Sequence, residues 1–556
     1  MTDPTNPLIV QGDLTVLLEL ASPRADDARA ALSRFAELER APEHIHTYRI
    51  SPLTLWNAAV AGLSPGDVAS TLTGFAKYDV APSVLAEVHD QMGRYGRLRL
   101  VRDHDTAALA LTSSEPALIE EVSRDKSVAL YLGERLDGNR FAVRMGDRGV
   151  LKQELLRLGW PVADEAGYDD ADDLVPVNMT AELRSYQGDA LQSWWADGGE
   201  AGGNGVLVLP CGAGKTVIGL GALVTTGLHT LIIATSISSA RQWISELLAK
   251  TDIDPSLVGE YSSDKKDIRP ITVATYQILT HAKRGVPKDA DIFERHPHLA
   301  LFNDHNWGLV IYDEVHLLPA PVFRVTARIQ SVRRLGLTAT LVREDGREAD
   351  VFSLIGPKRF DVPWKELELL GWIAPATCTE VRVRLSDDAR MQYAMAEPDE
   401  RPRLAATAAA KFDVLDQLLE RHRDDMVLII GQYVGQLETI AERLGAPLIT
   451  GKTPQRAREE RFQAFRDGDI PVLVVSKVAN FSIDLPQANV AIQVSGQFGS
   501  RQEEAQRLGR ILRPQGGQAS FYTLVAAETV EQNFALNRQR FLAEQGYQYD
   551  IVDSVV

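Results

Sequence analysis

The chain has 556 residues, 45% of them hydrophobic and 24% charged, and a net charge of −17. That length implies three or four domains and enough apolar material for several buried cores. The acidic balance excludes a general polyanion-coating role, so any nucleic acid must be met through a local groove.

Two cysteines, Cys211 and Cys378, cannot make a disulfide framework or a zinc site. Residues 7–20 are apolar but broken by Gln11, Asp13 and Glu19, with no basic leader, and nothing reaches transmembrane length. A cytoplasmic protein with no membrane partner is expected.

In chain order, residues 9–20 predict a pair of strands and 26–38 a helix, with Ala30, Leu32, Phe35 and Leu38 at helical spacing. Two more helices are expected over 50–61 and 65–75, opened by Ser51-Pro52 and Ser64-Pro65 as cap and first helical residue. A second unit combines a helix at 83–95, strands at 98–102, 107–112 and 141–143, and a closing helix at 149–158. Six carboxylates in residues 164–173, with no apolar stripe, read as a solvated linker. Residues 1–175 hold 18 Lys and Arg against 28 Asp and Glu, net −10, which leaves 41 against 48, net −7, for 176–556.

The chemistry starts after this linker. Residues 206–209 form an apolar run, Pro210–Gly214 a Gly-broken turn, and Lys215-Thr216 opens a helix pattern. Gly212 and Gly214 allow backbone N–H groups close to phosphate oxygens, Lys215 supplies charge, and the Thr216 hydroxyl can ligate Mg²⁺. Leu209 stands where the full P-loop pattern has its first Gly, so the loop is abbreviated. About a hundred residues on, LVIYDEVH (309–316) ends an apolar strand in two carboxylates. Asp313 suits a water-mediated hold on Mg²⁺, and Glu314 suits activation of the attacking water. Either motif alone has a bland explanation; together they predict a site that hydrolyses a nucleoside triphosphate.

Ahead of the P-loop, Gln187 in LRSYQ is placed to read an adenine edge. Apolar strands at 230–234, 271–275, 309–313 and 335–340 each end in small polar residues, the layout of a doubly wound parallel sheet. The second half repeats that layout without a P-loop, with strands at 426–430, 472–476 and 490–494 and a helix at 459–466. In QEEAQRLGRILR (502–513), Arg507, Arg510 and Arg513 lie three apart, near one helix face. A surface salt-bridged helix is the plain alternative to arginine fingers reaching a γ-phosphate.

Across residues 183–514 the sequence resembles the superfamily 2 helicases and specifically the XPB family. LRSYQ, LPCGAGKT, YDEVH, GLTATLVRED, SKVANFSIDLP and EAQRLGRILRP follow in order, and the LVRED that follows GLTAT is the most specific element. The resemblance implies an α/β fold of two RecA-like lobes preceded by smaller α+β domains. The division implied is 1–75, a damage-recognition-like domain over 82–163, a linker over 164–175, and lobes over 176–365 and 366–556. It implies ATP and Mg²⁺ as cofactors, and DNA, as single strand and forked duplex, as partner. It also implies a monomer acting in nucleotide excision repair, alone or with a nuclease or other repair proteins, and unwinding in the 3′→5′ direction.

Carried over residue by residue, Arg184 and Gln187 join Gly212, Gly214, Lys215, Thr216 and Asp484 in nucleotide binding. Gln506, Arg510 and Arg513 join Lys215, Asp313 and Glu314 in hydrolysis. Thr338 and Thr340 would couple hydrolysis to movement, and Arg343, Glu344 and Asp345 would act at the fork. Thr235, Ser236, Thr275 and Ser476 would meet the single strand through backbone and hydroxyl groups. A double-strand translocase that never separates strands has the same motor motifs, and a damage-binding scaffold switched by ATP is the alternative outside motor enzymes.

Overall fold

The computed structural model describes residues 3–40, 44–103, 109–199, 202–210, 212–287, 290–303, 305–329, 332–339, 348–362, 364–476, 488–496, 519–544, 547 and 549–554. Two compact units divide the chain: residues 1–39, 43–209 and 214–361 make the first, and 362–556 with 40–42 and 210–213 the second.

The first unit opens with β1 (Leu8–Val10), β2 (Thr15–Glu19), β3 (Glu37–Arg40) and β4 (Ile45–Arg49), a four-stranded sheet ordered β1-β2-β4-β3. Helix α1 stops at Leu32 (Ala25–Leu32). The helix expected over 26–38 is therefore shorter, because residues 37–40 are drawn into the sheet as its outer strand; Phe35 and Leu38 are buried all the same. Helices α2 (Pro52–Val60) and α3 (Pro65–Phe75) start where Ser-Pro places them. The Ser51 and Ser64 hydroxyls accept from the N–H groups of Thr54 and Asp67, and each partner side chain reaches back, closing a capping box. Helix α4 (Pro82–Arg94) packs against both, and the Trp56 indole donates to the Gln91 carbonyl at 3.0 Å.

A five-stranded sheet follows, from β5 (Leu98–Arg102), β6 (Leu109–Ser113), β7 (Leu132–Asp137), β8 (Arg140–Val143) and β9 (Val162–Asp164), ordered β7-β8-β6-β5-β9. Its helix α5 (Arg148–Arg157) corrects the reading of 164–173 as a solvated linker. Asp164 ends β9, buried, and accepts from Arg148 Nε at 3.0 Å and Lys152 Nζ at 2.8 Å. Burial works against its charge, yet Lys152 and Arg148 hold the Asp164 carboxyl well below the usual range. Leu174 N–H donates to the Gly227 carbonyl and His229 N–H to that of Asp172, so the following acidic stretch runs along the next domain as ordered chain.

That domain is a seven-stranded parallel sheet. Its strands are β10 (Asn204–Val208), β11 (Thr230–Ala234), β12 (Val258–Tyr261), β13 (Ile271–Thr275), β14 (Leu309–Asp313), β15 (Arg333–Thr338) and β16 (Lys358–Asp361), ordered β12-β13-β11-β14-β15-β10-β16. β10, β11 and β13 are buried along their whole length, as strands covered on both faces must be. Helices α6 (Ser185–Trp195), α7 (Lys215–Thr226), α8 (Ile237–Lys250), α9 (Ala320–Arg328) and α10 (Glu348–Leu354) accompany it. The N-terminal domains dock here: Gln153 Nε2 donates to Asp350 at 3.1 Å, Lys358 N–H to Asn57 Oδ1 at 2.9 Å, and Trp56, Leu156 and Phe352 share a small apolar cluster.

The second unit is another seven-stranded parallel sheet: β17 (Ala376–Val383), β18 (Val427–Gly431), β19 (Leu448–Ile449), β20 (Val472–Ser476), β21 (Val490–Gln493), β22 (Ala519–Ala526) and β23 (Tyr549–Asp553). The order is β19-β20-β18-β21-β22-β17-β23. Both large sheets are α/β with crossovers between non-neighbouring strands, the RecA-like arrangement the motif order implied. Phe462 and Phe465 are buried on the helix Gln455–Arg466, as their spacing predicts.

Candidate functional site

The site gathers at the C-terminal edge of the first parallel sheet, where α/β folds hold their ligands. Gly214 caps α7 in a left-handed conformation, φ 76°, ψ 40°. A Cβ there would lie 2.5 Å from Gln187 Nε2, so only Gly fits beneath the Gln187 amide. Gln187 is buried, with its Oε1 accepting from Arg184 N–H at 2.9 Å, while Arg184 Nη1 donates to the Tyr186 hydroxyl. Gly212 is also left-handed, φ 82°. Lys215 Nζ donates to the Leu209 carbonyl at 3.2 Å and lies 4.0 Å from Glu314 Oε1; Thr216 is half-buried in the next helical position.

β14 delivers the two carboxylates. Asp313 Oδ2 accepts from Trp243 Nε1 at 3.0 Å and from the Ser239 hydroxyl at 3.2 Å, and the Tyr276 hydroxyl donates to the Asp313 carbonyl. Burial, reinforced by the adjacent Glu314 carboxylate, pushes the Asp313 carboxyl up to about 6, against these donors and the Lys215 charge. Glu314 is one of the few non-glycine residues in the left-handed region, φ 48°, ψ 56°. Such strain costs roughly 1–3 kcal/mol and gathers at functional sites. It turns the chain sharply out of β14, with Glu314 Oε1 toward Lys215 and Oε2 3.4 Å from His316 Nδ1. Oε2 is buried and has no hydrogen-bond partner.

Those features fit a phosphate chain with its metal: a cradle with no room for a Cβ, a lysine at its mouth, and a carboxylate oxygen with spare accepting capacity. Among the described residues no cluster of three or more His, Cys, Asp and Glu could hold a metal alone. An Mg²⁺ held at Thr216 and Asp313 would therefore need phosphate oxygens and water to complete its shell, which is how this ion is ordinarily bound.

Thr338 is fully buried, and its hydroxyl meets His316 Nδ1 at 2.7 Å. Of the positions expected along the strand, Thr235 and Ser236 are half-buried at the end of β11. The Ser236 hydroxyl caps α8 by accepting from Ser239 N–H, and Gln277 Nε2 donates to the Thr235 carbonyl at 2.7 Å. Thr275 and Ser476 are buried, and the Thr275 hydroxyl accepts from Ile278 N–H. Thr340, Arg343, Glu344, Asp345, Asp484, Gln506, Arg507, Arg510 and Arg513 lie outside the described residues, as does Cys211.

Sequence reading missed Ser239, Trp243, Tyr276 and His316. For the first two a signal existed: they lie four apart, hence on one face, in the helix that follows a strand of this sheet.

Three family models match the chain: ERCC3/RAD25/XPB C-terminal helicase over 367–556, type III restriction enzyme, res subunit, over 180–343, and helicase conserved C-terminal domain over 8–137. The chain is 54% identical to the DNA 3′-5′ helicase XPB of Kineococcus radiotolerans, covering all of this chain and 97% of that one. It is equally 54% identical to the protein of that name from Mycobacterium tuberculosis, covering 100% and 98%. It is 37% identical to the putative DNA 3′-5′ helicase Rad25 of Halobacterium salinarum, covering 93% and 82%.

Proposed function

The chain belongs to the XPB family of superfamily 2 DNA helicases and is an ATP-dependent DNA helicase, and on that premise we propose that it moves 3′→5′ and separates strands at forks in nucleotide excision repair. The ATP-hydrolysing motor in this reading is supported by the convergence of Lys215 and Glu314 to 4.0 Å beside Asp313, with Glu314 Oε2 free to accept, and the 3′→5′ direction by the names of the 54% identical relatives.

Lys215 and the N–H groups opening α7 bind the β- and γ-phosphates. Thr216 and Asp313 would hold Mg²⁺, which would supply charge neutralisation at the phosphoryl oxygens. Glu314 accepts a hydrogen bond from the attacking water and draws off its proton. His316 Nδ1 bonds the Thr338 hydroxyl at 2.7 Å and lies 3.4 Å from Glu314 Oε2, beside the carboxylate without hydrogen-bonding it. Arg510 and Arg513 act as fingers on the γ-phosphate, with Gln506 beside them, and Asp484 contacts the ribose. Arg343, Glu344 and Asp345 part the strands, and Thr338 and Thr340 link turnover to movement. Gln187 and Arg184 recognise adenine from the buried amide over Gly214.

The test is strand displacement on forked duplexes carrying only a 3′ or only a 5′ tail, with ATP turnover followed in the same reactions. Displacement from the 3′ tail alone, lost in Arg343→Ala with turnover retained, is expected. DNA-stimulated turnover without displacement of either substrate would instead identify a translocase.

A further inference from the structure

One side chain touches two parts of the nucleotide site and belongs to neither motif. The Trp243 indole N–H donates to Asp313 Oδ2 at 3.0 Å. Its six-membered ring packs on α7 so closely that a Cβ on Gly219 would lie 2.5 Å away. Gly219 is four residues beyond Lys215, one turn along the P-loop helix. Trp243 is therefore wedged between the helix that binds phosphate and the carboxylate assigned to the metal. Ser239, one turn earlier on α8, donates to the same oxygen at 3.2 Å. Two donors on Oδ2 lock the carboxylate's rotation and leave Oδ1 for a metal's water shell.

The other end of α8 is tied to the strand-facing edge of the sheet. Ser236 caps the helix through Ser239 N–H, so one residue is both capped from the turn and bonded to the carboxylate. Gln277 holds that turn through the Thr235 carbonyl. The cap residue 236 and the helical positions 239 and 243 thus connect the 235–236 turn to Asp313 with no intervening loop. A helix is stiff over two turns, so displacement of its N-terminus shifts both donors together.

We propose that Ser239 and Trp243 are positioning residues that set the Asp313 carboxylate for the metal and relay occupancy of the Thr235–Ser236 turn by DNA to the nucleotide site. The relay rests on the motor reading above; the positioning of Asp313 does not.

The test compares the full chain with Trp243→Phe, which keeps a ring against Gly219 and removes the N–H, and with Ser239→Ala. Calorimetry measures ADP binding with Mg²⁺ and with EDTA, and ATP turnover is measured with and without duplex DNA. A lost hydrogen bond to a charged group predicts about tenfold weaker ADP binding with Mg²⁺ in each variant. Binding in EDTA should be unchanged, a split that simple loss of packing would not give, and DNA stimulation of turnover should shrink several-fold. Unchanged Mg²⁺-dependent affinity in both variants overturns the positioning role. Weakened affinity with a full stimulation ratio overturns the relay. If Trp243→Phe does not fold, Ser239→Ala decides alone by the same two readouts. Wild-type turnover that ignores DNA counts against the motor reading and the relay, while calorimetry still decides the positioning.

Discussion

His316 Nδ1 stands 2.7 Å from the Thr338 hydroxyl, joining the ends of two neighbouring strands, β14 and β15, inside the protein. The same nitrogen lies 3.4 Å from Glu314 Oε2. One imidazole therefore lies beside both Glu314, proposed above to activate the water, and the end of β15. Thr338→Val keeps the shape and removes the hydroxyl. ATP turnover at saturating nucleotide should fall roughly tenfold, the scale of one buried hydrogen bond. DNA affinity by fluorescence anisotropy should stay unchanged.

Lys215→Ala and Glu314→Gln remove the groups proposed above to bind phosphate and to take the proton from water. Loss of a positioned base costs at least roughly a hundredfold, so Glu314→Gln should bind nucleotide and DNA yet turn over almost no ATP. Wild-type-like turnover in Glu314→Gln would mean that another group activates the water.

Asp164 pairs with both Arg148 and Lys152 where all three side chains are buried. Asp164→Asn leaves two cations without their counter-ion, and breaking such a buried pair costs roughly 3–5 kcal/mol. Urea unfolding should show the loss. Deleting residues 1–165 should do more harm, because it uncovers Phe352 on α10 and cuts the bonds to Asp350 and Lys358. The truncated chain is expected to associate or unfold in sedimentation runs, and a monodisperse, active fragment would refute that docking.

Burial, with a smaller push from the Arg29 charge, holds the His46 imidazole down to about 4. The folded state binds fewer protons than the unfolded one between that value and the ordinary 6.5. Stability is therefore present above pH 6.5 and lost as pH falls toward 4, by up to about 3 kcal/mol. Between pH 7 and pH 4.5 the unfolding free energy of the wild type should fall by more than that of His46→Leu, which has no proton to take up there.

Much of this was legible in the sequence because it rests on local rules. Ser-Pro pairs marked α2 and α3, apolar runs marked the parallel strands, and GKT with DE at strand ends marked the site. What stayed hidden depends on partners distant in the chain. The carboxylates of 164–173 look solvated until Arg148 and Lys152 come beside Asp164. Leu38 continues a helical spacing until a sheet edge claims it. Thr275 reads as a polar strand end, and only the fold shows its hydroxyl accepting from Ile278 N–H in the turn that follows. Nothing local to Trp243 says that Asp313, 70 residues away, will accept its N–H.

The strand that carries the phosphate cradle, β10, is hydrogen-bonded on one side to β15 and on the other to β16. Both neighbours are made more than a hundred residues later, so a growing polypeptide emerges with its P-loop long before anything can hold it. Until residues 333–361 have left the ribosome, the loop has no sheet edge to stand on, and contacts this distant form late. The lobe therefore cannot bind nucleotide while it is incomplete. Nucleotide capture during synthesis would report that the whole first lobe has closed, and a nascent chain stalled short of residue 333 should not retain ATP.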